Sequence, residues 1–264
     1  MKEGIDLDKN SDYFSAKRGD GIITISFDGN VMLFPTLLRA KEAIFDYLDL
    51  VSNDESIKVV ILKSKRARDQ REDYFAFYDA LLKSKIDANA LIRMFRCYDQ
   101  LILKIVESSK FFIEVGRGDI ILQTFNVGLA CDYRIVTNHT VIHNPSIGIG
   151  LMSKGGGAYF LKKMLGHTKT YEILLSDKGI SSKEALKLGI VDKIVVDEGY
   201  EDTVLKIARY FCQKPATSLA GLKKFLNYPL KDLKDYLEFE NQELFCILNH
   251  FNSHKKIAGG MGWI

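Results

Sequence analysis

Cysteine, proline and long apolar runs are all scarce in this sequence. The four cysteines, Cys97, Cys131, Cys212 and Cys246, are scattered over 264 residues. They form no CxxC pair and no zinc spacing, so reduced, packed thiols are expected and no metal site is indicated. Four prolines and the lack of any low-complexity stretch argue against a long linker. No apolar run reaches the roughly 18 residues of a membrane span. The opening MKEGIDLDKNSDYF has no apolar stretch of the signal-peptide kind. HExxH, a P-loop and a GxGxxG after a strand are all missing. A cytoplasmic protein with no membrane partner is the expectation.

Charge of one sign is also missing. Lys plus Arg is 37 and Asp plus Glu is 34, a formal net charge of +3. That balance argues against a nucleic-acid partner. What is present is an ordinary globular mixture, 47% hydrophobic and 27% charged, which excludes a disordered chain. The length allows one to two domains at roughly 150 residues each.

The alternating, β-branched run Gly21 to Phe27 predicts a strand. Apolar residues at helical spacing predict a helix over Leu37–Val51. Lys58–Leu62 reads as a short strand buried on both faces. Strand, helix, strand at this spacing implies a βαβ unit and a parallel sheet. Helices are predicted near Asp73–Lys83 and Asn89–Ser109. Extended segments are predicted at Phe111–Val115, Ile120–Leu122, Cys131–Thr137 and Val141–His143. Pro145 to Gly157 carries five glycines, and a helix should open there over Gly155–Leu165. Further on, helices are predicted at Thr170–Leu175, Ser182–Leu188, Asp202–Lys214, Ser218–Leu226 and Leu230–Asn252, with a strand at Ile190–Val196. The apolar faces of the last helices exceed what one small domain needs, so they pack on the main domain or on another subunit.

Three stretches resemble the crotonase superfamily, the enoyl-CoA hydratases and isomerases. Cys131-Asp132-Tyr133-Arg134-Ile135-Val136 is similar to the family's C-D strand. Pro145 to Leu151 followed by Gly155-Gly156-Gly157 is similar to its P-E loop and later glycine pair. Leu174 to Val195, including Glu184-Ala185 and Gly189-Ile190-Val191-Asp192, is similar almost throughout to the family's longest motif. The resemblance implies an α/β fold: a crotonase-like spiral of ββα units with a C-terminal helical trimerisation region. The expected division is a core over 1–196 and a helical region over 197–264. It further implies an acyl-CoA or acyl-carrier thioester as substrate, coenzyme A entering only as part of it, and a homotrimer or hexamer. Family members stabilise an enolate-like oxyanion with two backbone N–H groups.

The family's site motifs are altered here. The F-x-A-G-x-D loop that holds the first oxyanion donor is best matched by Tyr74-Phe75-Ala76-Phe77-Tyr78-Asp79, with Phe77 in place of glycine. The second donor's N-G-x-A-x-G-G-G falls on Arg117 to Thr124, where Leu122, Gln123 and Thr124 replace glycines. The oxyanion region is therefore expected around Ala76, Phe77, Tyr78, Leu122 and Gln123. The two hydratase carboxylates fall at Asn126 and Ser146. Neither residue is a general base at neutral pH without help, so ordinary hydration is expected to be absent or very weak.

Other residues carry two readings each. Asn126 and Ser146 are catalytic candidates or polar groups that satisfy nearby backbone. Glu114, Arg117 and Asp119 are unexpected charges around a buried strand: substitute acid–base groups, a charge pair, or loop and interface charges. Lys63, Lys65, Arg66 and Arg68 are candidates for the CoA phosphates or a solvated loop. Tyr74 is a candidate for the acyl pocket, or it and Tyr78 are packed helix faces. His143 is expected to be structural and Lys154 solvated. Two functions follow. One is a divergent enzyme of isomerase, decarboxylase or dehydratase type acting on an acyl thioester. The other is a catalytically inactive crotonase-fold scaffold or partner subunit.

Overall fold

The computed structural model describes residues 7–27, 38–65, 69–83 and 88–257. Arg66 and Arg68 lie outside the described residues. The chain opens with strands β1 (Lys9–Asn10), β2 (Phe14–Gly19) and β3 (Ile22–Phe27), joined antiparallel. Helix α1 (Leu38–Asn53) then crosses to β4 (Val59–Ser64), which lies parallel to β3. Two helices follow, α2 (Gln70–Lys83) and α3 (Ala88–Glu107), before β5 (Phe111–Gly116). Next come β6 (Asp119–Ile121), α4 (Leu122–Ala130), β7 (Tyr133–Thr137), β8 (Val141–His143) and α5 (Gly157–Leu175). The chain continues through β9 (Ile180–Ser181), α6 (Ser182–Leu188), β10 (Lys193–Val195), α7 (Tyr200–Cys212), α8 (Ala216–Leu226) and α9 (Leu230–Ile257).

One seven-stranded sheet runs β1-β2-β3-β4-β5-β7-β10, parallel from β3 onward, and a three-stranded sheet runs β6-β8-β9. The run Val59-Val60-Ile61-Leu62 is apolar at every position because both faces of β4 are covered. Val59, Ile61, Ile113, Val115 and Ile135 pack on Tyr200, Val204 and Ala208 of α7. Val60, Leu62, Phe112 and Val136 pack on the opposite side with Ile44, Leu101 and Phe125 of α1, α3 and α4. The two helices predicted across 155–175 are present as two helical stretches of α5, parted where Gly166 leaves helical geometry at φ 75° and ψ 176°.

The last two helices differ in burial. Leu233, Leu237, Leu244 and Leu248 of α9 are buried against the same chain, largely along α3. Leu222, Phe225 and Leu226 of α8 and the following Tyr228 stay exposed, Phe225 at 82%. All four cysteines are free.

Candidate functional site

Parallel strands leave their ligand crevice at their carboxyl ends. In this chain a cavity of about 60 Å³ lies at the carboxyl ends of β3, β4 and β5. Its apolar wall is built by Ile44, Leu62, Leu101 and Phe125, and its polar side groups include Gln70, Glu114 and Thr124.

Gln70 opens α2 and reaches across to the start of α4. Its Oε1 accepts from the Ile121 N–H at 3.2 Å and from the Thr124 hydroxyl. Ile121 caps α4 without a side-chain hydrogen bond to the helix. The first N–H groups of any helix lack intrahelical acceptors and carry its positive end. The start of α4 therefore presents its positive end beside Gln70. Gln70 belongs to no family motif, and sequence reading passed over it.

Glu114 is carried on β5, directly opposite Leu62 of β4 and Arg134 of β7. Its side chain is half-buried, and its Oε2 is enclosed with no hydrogen-bond partner. Burial pushes the carboxyl up to about 8, against the opposing pull of Arg134. Arg134 itself is held elsewhere, by the Cys131 carbonyl at 3.0 Å and by Asp192 at 2.6 Å. Room for the carboxylate comes from α4: a Cβ at Gly128 would stand 3.0 Å from Glu114 Oε2. The three unexpected charges thus have separate fates. Arg117 pairs with Asp197 at 2.9 Å and lies over the Tyr200 ring at 4.2 Å. Asp119 meets His143 Nε2 at 2.6 Å.

The residues expected around the oxyanion are placed differently from one another. Ala76 lies mid-helix in α2 with its side chain exposed, and Phe77 follows it on the same helix. A mid-helix N–H is committed to the helix ladder, so this stretch forms no open donor loop. Leu122 and Gln123 form the first turn of α4 and are buried. Tyr78 donates to Gln123 Oε1 at 3.1 Å, and the Tyr98 hydroxyl donates to the Gln123 carbonyl. Tyr74 donates to Ser146 Oγ at 2.8 Å. Tyr74, Tyr78 and Tyr98 have hydroxyls pushed upward by burial, Tyr74 to about 12. Around Phe77, Tyr78, Tyr98 and Gln123 the remaining cavity is about 10 Å³. Aromatic packing fills this side of the site.

Asn126 is fully buried on α4. Its Nδ2 donates to the Lys154 carbonyl at 2.8 Å and to Ser153 Oγ at 3.1 Å. It pins the glycine loop to the helix. Lys154 departs from the expected solvated lysine. Its ammonium is buried, paired with Asp99 of α3 and with Glu240 of α9 at 2.7 Å. Glu240 also accepts from the N–H groups of Gly155 and Gly156, each at 3.0 Å. Gly155 has φ +104°, and the Tyr98 ring occupies the place of a Cβ; only glycine meets both conditions.

The two described basic candidates, Lys63 and Lys65, do not converge on the cavity. Lys63 borders it, but its ammonium pairs with Glu201 and donates to Tyr200 Oη at 3.3 Å, both on α7. Lys65 has an exposed side chain and a backbone N–H bonded to the Phe27 carbonyl at 3.0 Å. Among the described residues, no group of three or more His, Cys, Asp or Glu is arranged to hold a metal ion. No helix among them is long and apolar enough to cross a membrane.

This architecture is a mixed α/β fold with C-terminal helices, and known proteins share it. An enoyl-CoA hydratase from Bacillus halodurans superposes with a TM-score of 0.80 at 22% identity, covering 94% of this chain and all (100%) of that one. The 4-chlorobenzoyl coenzyme A dehalogenase-2 of an Arthrobacter species is 22% identical over 263 residues, 96% of this chain and 92% of its own length. The crotonyl-CoA hydratase of Syntrophomonas wolfei is 24% identical over 180 residues, 68% of this chain and 66% of its own. The enoyl-CoA hydratase/isomerase profile matches residues 38–262. The chain belongs to that family.

Proposed function

We propose that this chain binds an acyl thioester, on coenzyme A or a carrier, with the thioester in the cavity at the ends of β3, β4 and β5. The observation that carries the reading is the cavity itself, with Gln70 and the α4 terminus on one side and Glu114 within it. The names of the two relatives, a chlorobenzoyl-CoA dehalogenase and a crotonyl-CoA hydratase, support a CoA thioester as the ligand class. The reaction is of isomerase, decarboxylase or dehydratase type. Ordinary hydration needs two placed acid–base groups, whereas Asn126 is an amide whose nitrogen is spent on the glycine loop, and Ser146 is bonded to Tyr74. The exposed α8 face supports assembly into a homotrimer or hexamer.

The test is thermal melting of the purified protein with free CoA and short-, medium- and long-chain acyl-CoAs. A ligand at about 100 times its dissociation constant stabilises a fold by about 2.7 kcal/mol. A clear rise in melting temperature is expected for at least one acyl-CoA. No rise with any of them overturns the reading. A normal rate of crotonyl-CoA hydration would overturn the assigned reaction class.

A second reading, an inactive scaffold or partner subunit, is favoured by the tyrosines that fill the Phe77–Gln123 side. It predicts a stable oligomer with no turnover of any thioester.

A further inference from the structure

The 60 Å³ cavity has one acidic side chain in its wall, Glu114, among the described residues. The basic groups that also border it, Lys63 and Arg117, direct their charges to Glu201, Tyr200 and Asp197. Glu114 is different: its Oε2 is enclosed and unpartnered. Its cross-strand neighbour Arg134 is engaged by Asp192 and by the Cys131 carbonyl. The space it occupies depends on a glycine on the facing helix, since a Cβ at Gly128 would meet its carboxyl at 3.0 Å. A carboxyl that borders a cavity and keeps one oxygen without a hydrogen-bond partner has the geometry of a proton carrier.

We infer that Glu114 is the acid–base group of this cavity, moving the proton on the carbon beside the carbonyl of a bound acyl thioester. The inference rests on the thioester-binding reading above. In the step, the Glu114 carboxylate takes the α-proton and becomes a carboxylic acid. The C–H electron pair forms the new Cα–C bond order, and the carbonyl π pair moves onto oxygen. The enolate oxygen is met by the N–H groups at the start of α4, where its charge is stabilised. Delivery of that proton to the γ-carbon completes isomerisation, and exchange of the Glu114 acid proton with water before return to the α-carbon completes hydrogen exchange, neither step needing a co-reactant.

The surroundings set the working range. Arg134 on β7 is the cation that acts on Glu114, and the buried Cys131 thiol after α4 is the titratable group beside it. The facing parts of α1 and α3 contribute Ile44, Leu48 and Leu101, β4 contributes Leu62, and α2 contributes Gln70, none of them ionisable. Burial places the carboxyl at about 8. A group poised there exchanges protons efficiently near neutral pH.

The experiment is exchange of acyl-CoA carbon-bound hydrogen for deuterium in heavy water, read by mass spectrometry of recovered butyryl-CoA and crotonyl-CoA. It is run beside the melting assay on wild type, Glu114→Gln and Glu114→Asp. Wild type is expected to exchange with a rate that rises through pH of about 8 and then levels. Glu114→Gln should lose at least about 100-fold of that rate and the pH step with it, yet keep the acyl-CoA melting shift. Glu114→Asp should retain part of the rate and guards against a glutamine variant that folds poorly. An unchanged rate in Glu114→Gln overturns the assignment, as does a wild type that binds acyl-CoA without exchange. A wild type that shows no melting shift overturns the binding reading instead.

Discussion

The Tyr74 hydroxyl donates to Ser146 Oγ at 2.8 Å, and both residues are buried. The bond ties α2 to the loop after β8, across the place where the family resemblance puts a carboxylate. Ser146→Ala leaves a buried hydroxyl without its acceptor, which costs about 1–3 kcal/mol. Tyr74→Phe costs about 1 kcal/mol. The double variant should lose less than the sum, because the second change removes no further bond. Urea unfolding of the four proteins measures this. Equal additivity would show that the bond contributes nothing.

How far the site was legible in the sequence follows from how local each cause is. Helix α6 was predicted at its observed ends because its stop signals are its own: Ser181 accepts from the Glu184 N–H, and Gly189 closes the helix in the left-handed region. Strand β4 was legible because burial on both faces leaves a continuous apolar run. Strand β1 was missed because it spans two residues, and β2 because it ends in Lys17, Arg18 and Gly19. Gln70 was missed because its role depends on Ile121 and Thr124, more than fifty positions away. The motif match favoured Ala76, which the structure places mid-helix. Lys154 was misjudged for the same reason, since its partners are 55 and 86 residues distant. Glu114 did leave a signal, a charge inside the apolar run Phe111-Phe112-Ile113-Glu114-Val115, though its isolation from Arg117 and Asp119 needed the fold.

Glu114 makes stability depend on pH with a definite sign. Its carboxyl rises from the ordinary 4.5 to about 8 in the folded chain. Between those values the folded chain holds a proton that the unfolded chain has released, so stability falls as pH rises. The contribution is fully present below the unfolded value and fully lost above the folded one. Each unit of displacement is worth about 1.4 kcal/mol, so the loss across the window is a few kcal/mol. Glu114→Gln has no such group and should gain on wild type steadily from pH of about 4.5 to about 8. Parallel stability curves for the two proteins would show that Glu114 titrates normally.

Gly128 and Glu114 should behave as a coupled pair. Glycine inside a helix such as α4 costs about 1 kcal/mol relative to alanine. In wild type that gain from Gly128→Ala is opposed, because the new methyl meets the Glu114 carboxyl at 3.0 Å. In a Glu114→Ala background the obstruction is gone, and Gly128→Ala should stabilise by up to about 1 kcal/mol. The cycle is measured by denaturant unfolding. A coupling energy of zero would mean that the carboxyl does not occupy the space the glycine leaves.

The buried Lys154 ammonium holds α9 to the rest of the chain through Glu240 and joins it to Asp99 on α3. Asn241 of α9 adds a 2.8 Å bond to Asp99 Oδ2. Burial raises the Asp99 carboxyl, and Lys154 is the first of the groups that oppose this. Lys154→Met removes the cation and leaves two carboxylates with no counter-ion, a change that costs about 3–5 kcal/mol in buried pairs. Without the ammonium, the Asp99 carboxyl, already raised by burial, favours the protonated form more strongly in the folded chain. The folded variant then binds more protons than the unfolded one, so its deficit should shrink as pH falls. Limited proteolysis provides a second readout: α9 should be cleaved faster in Lys154→Met than in wild type, with the difference narrowing at the lower pH. A deficit that stays constant with pH would show that the Asp99 carboxylate does not depend on Lys154 for its charge.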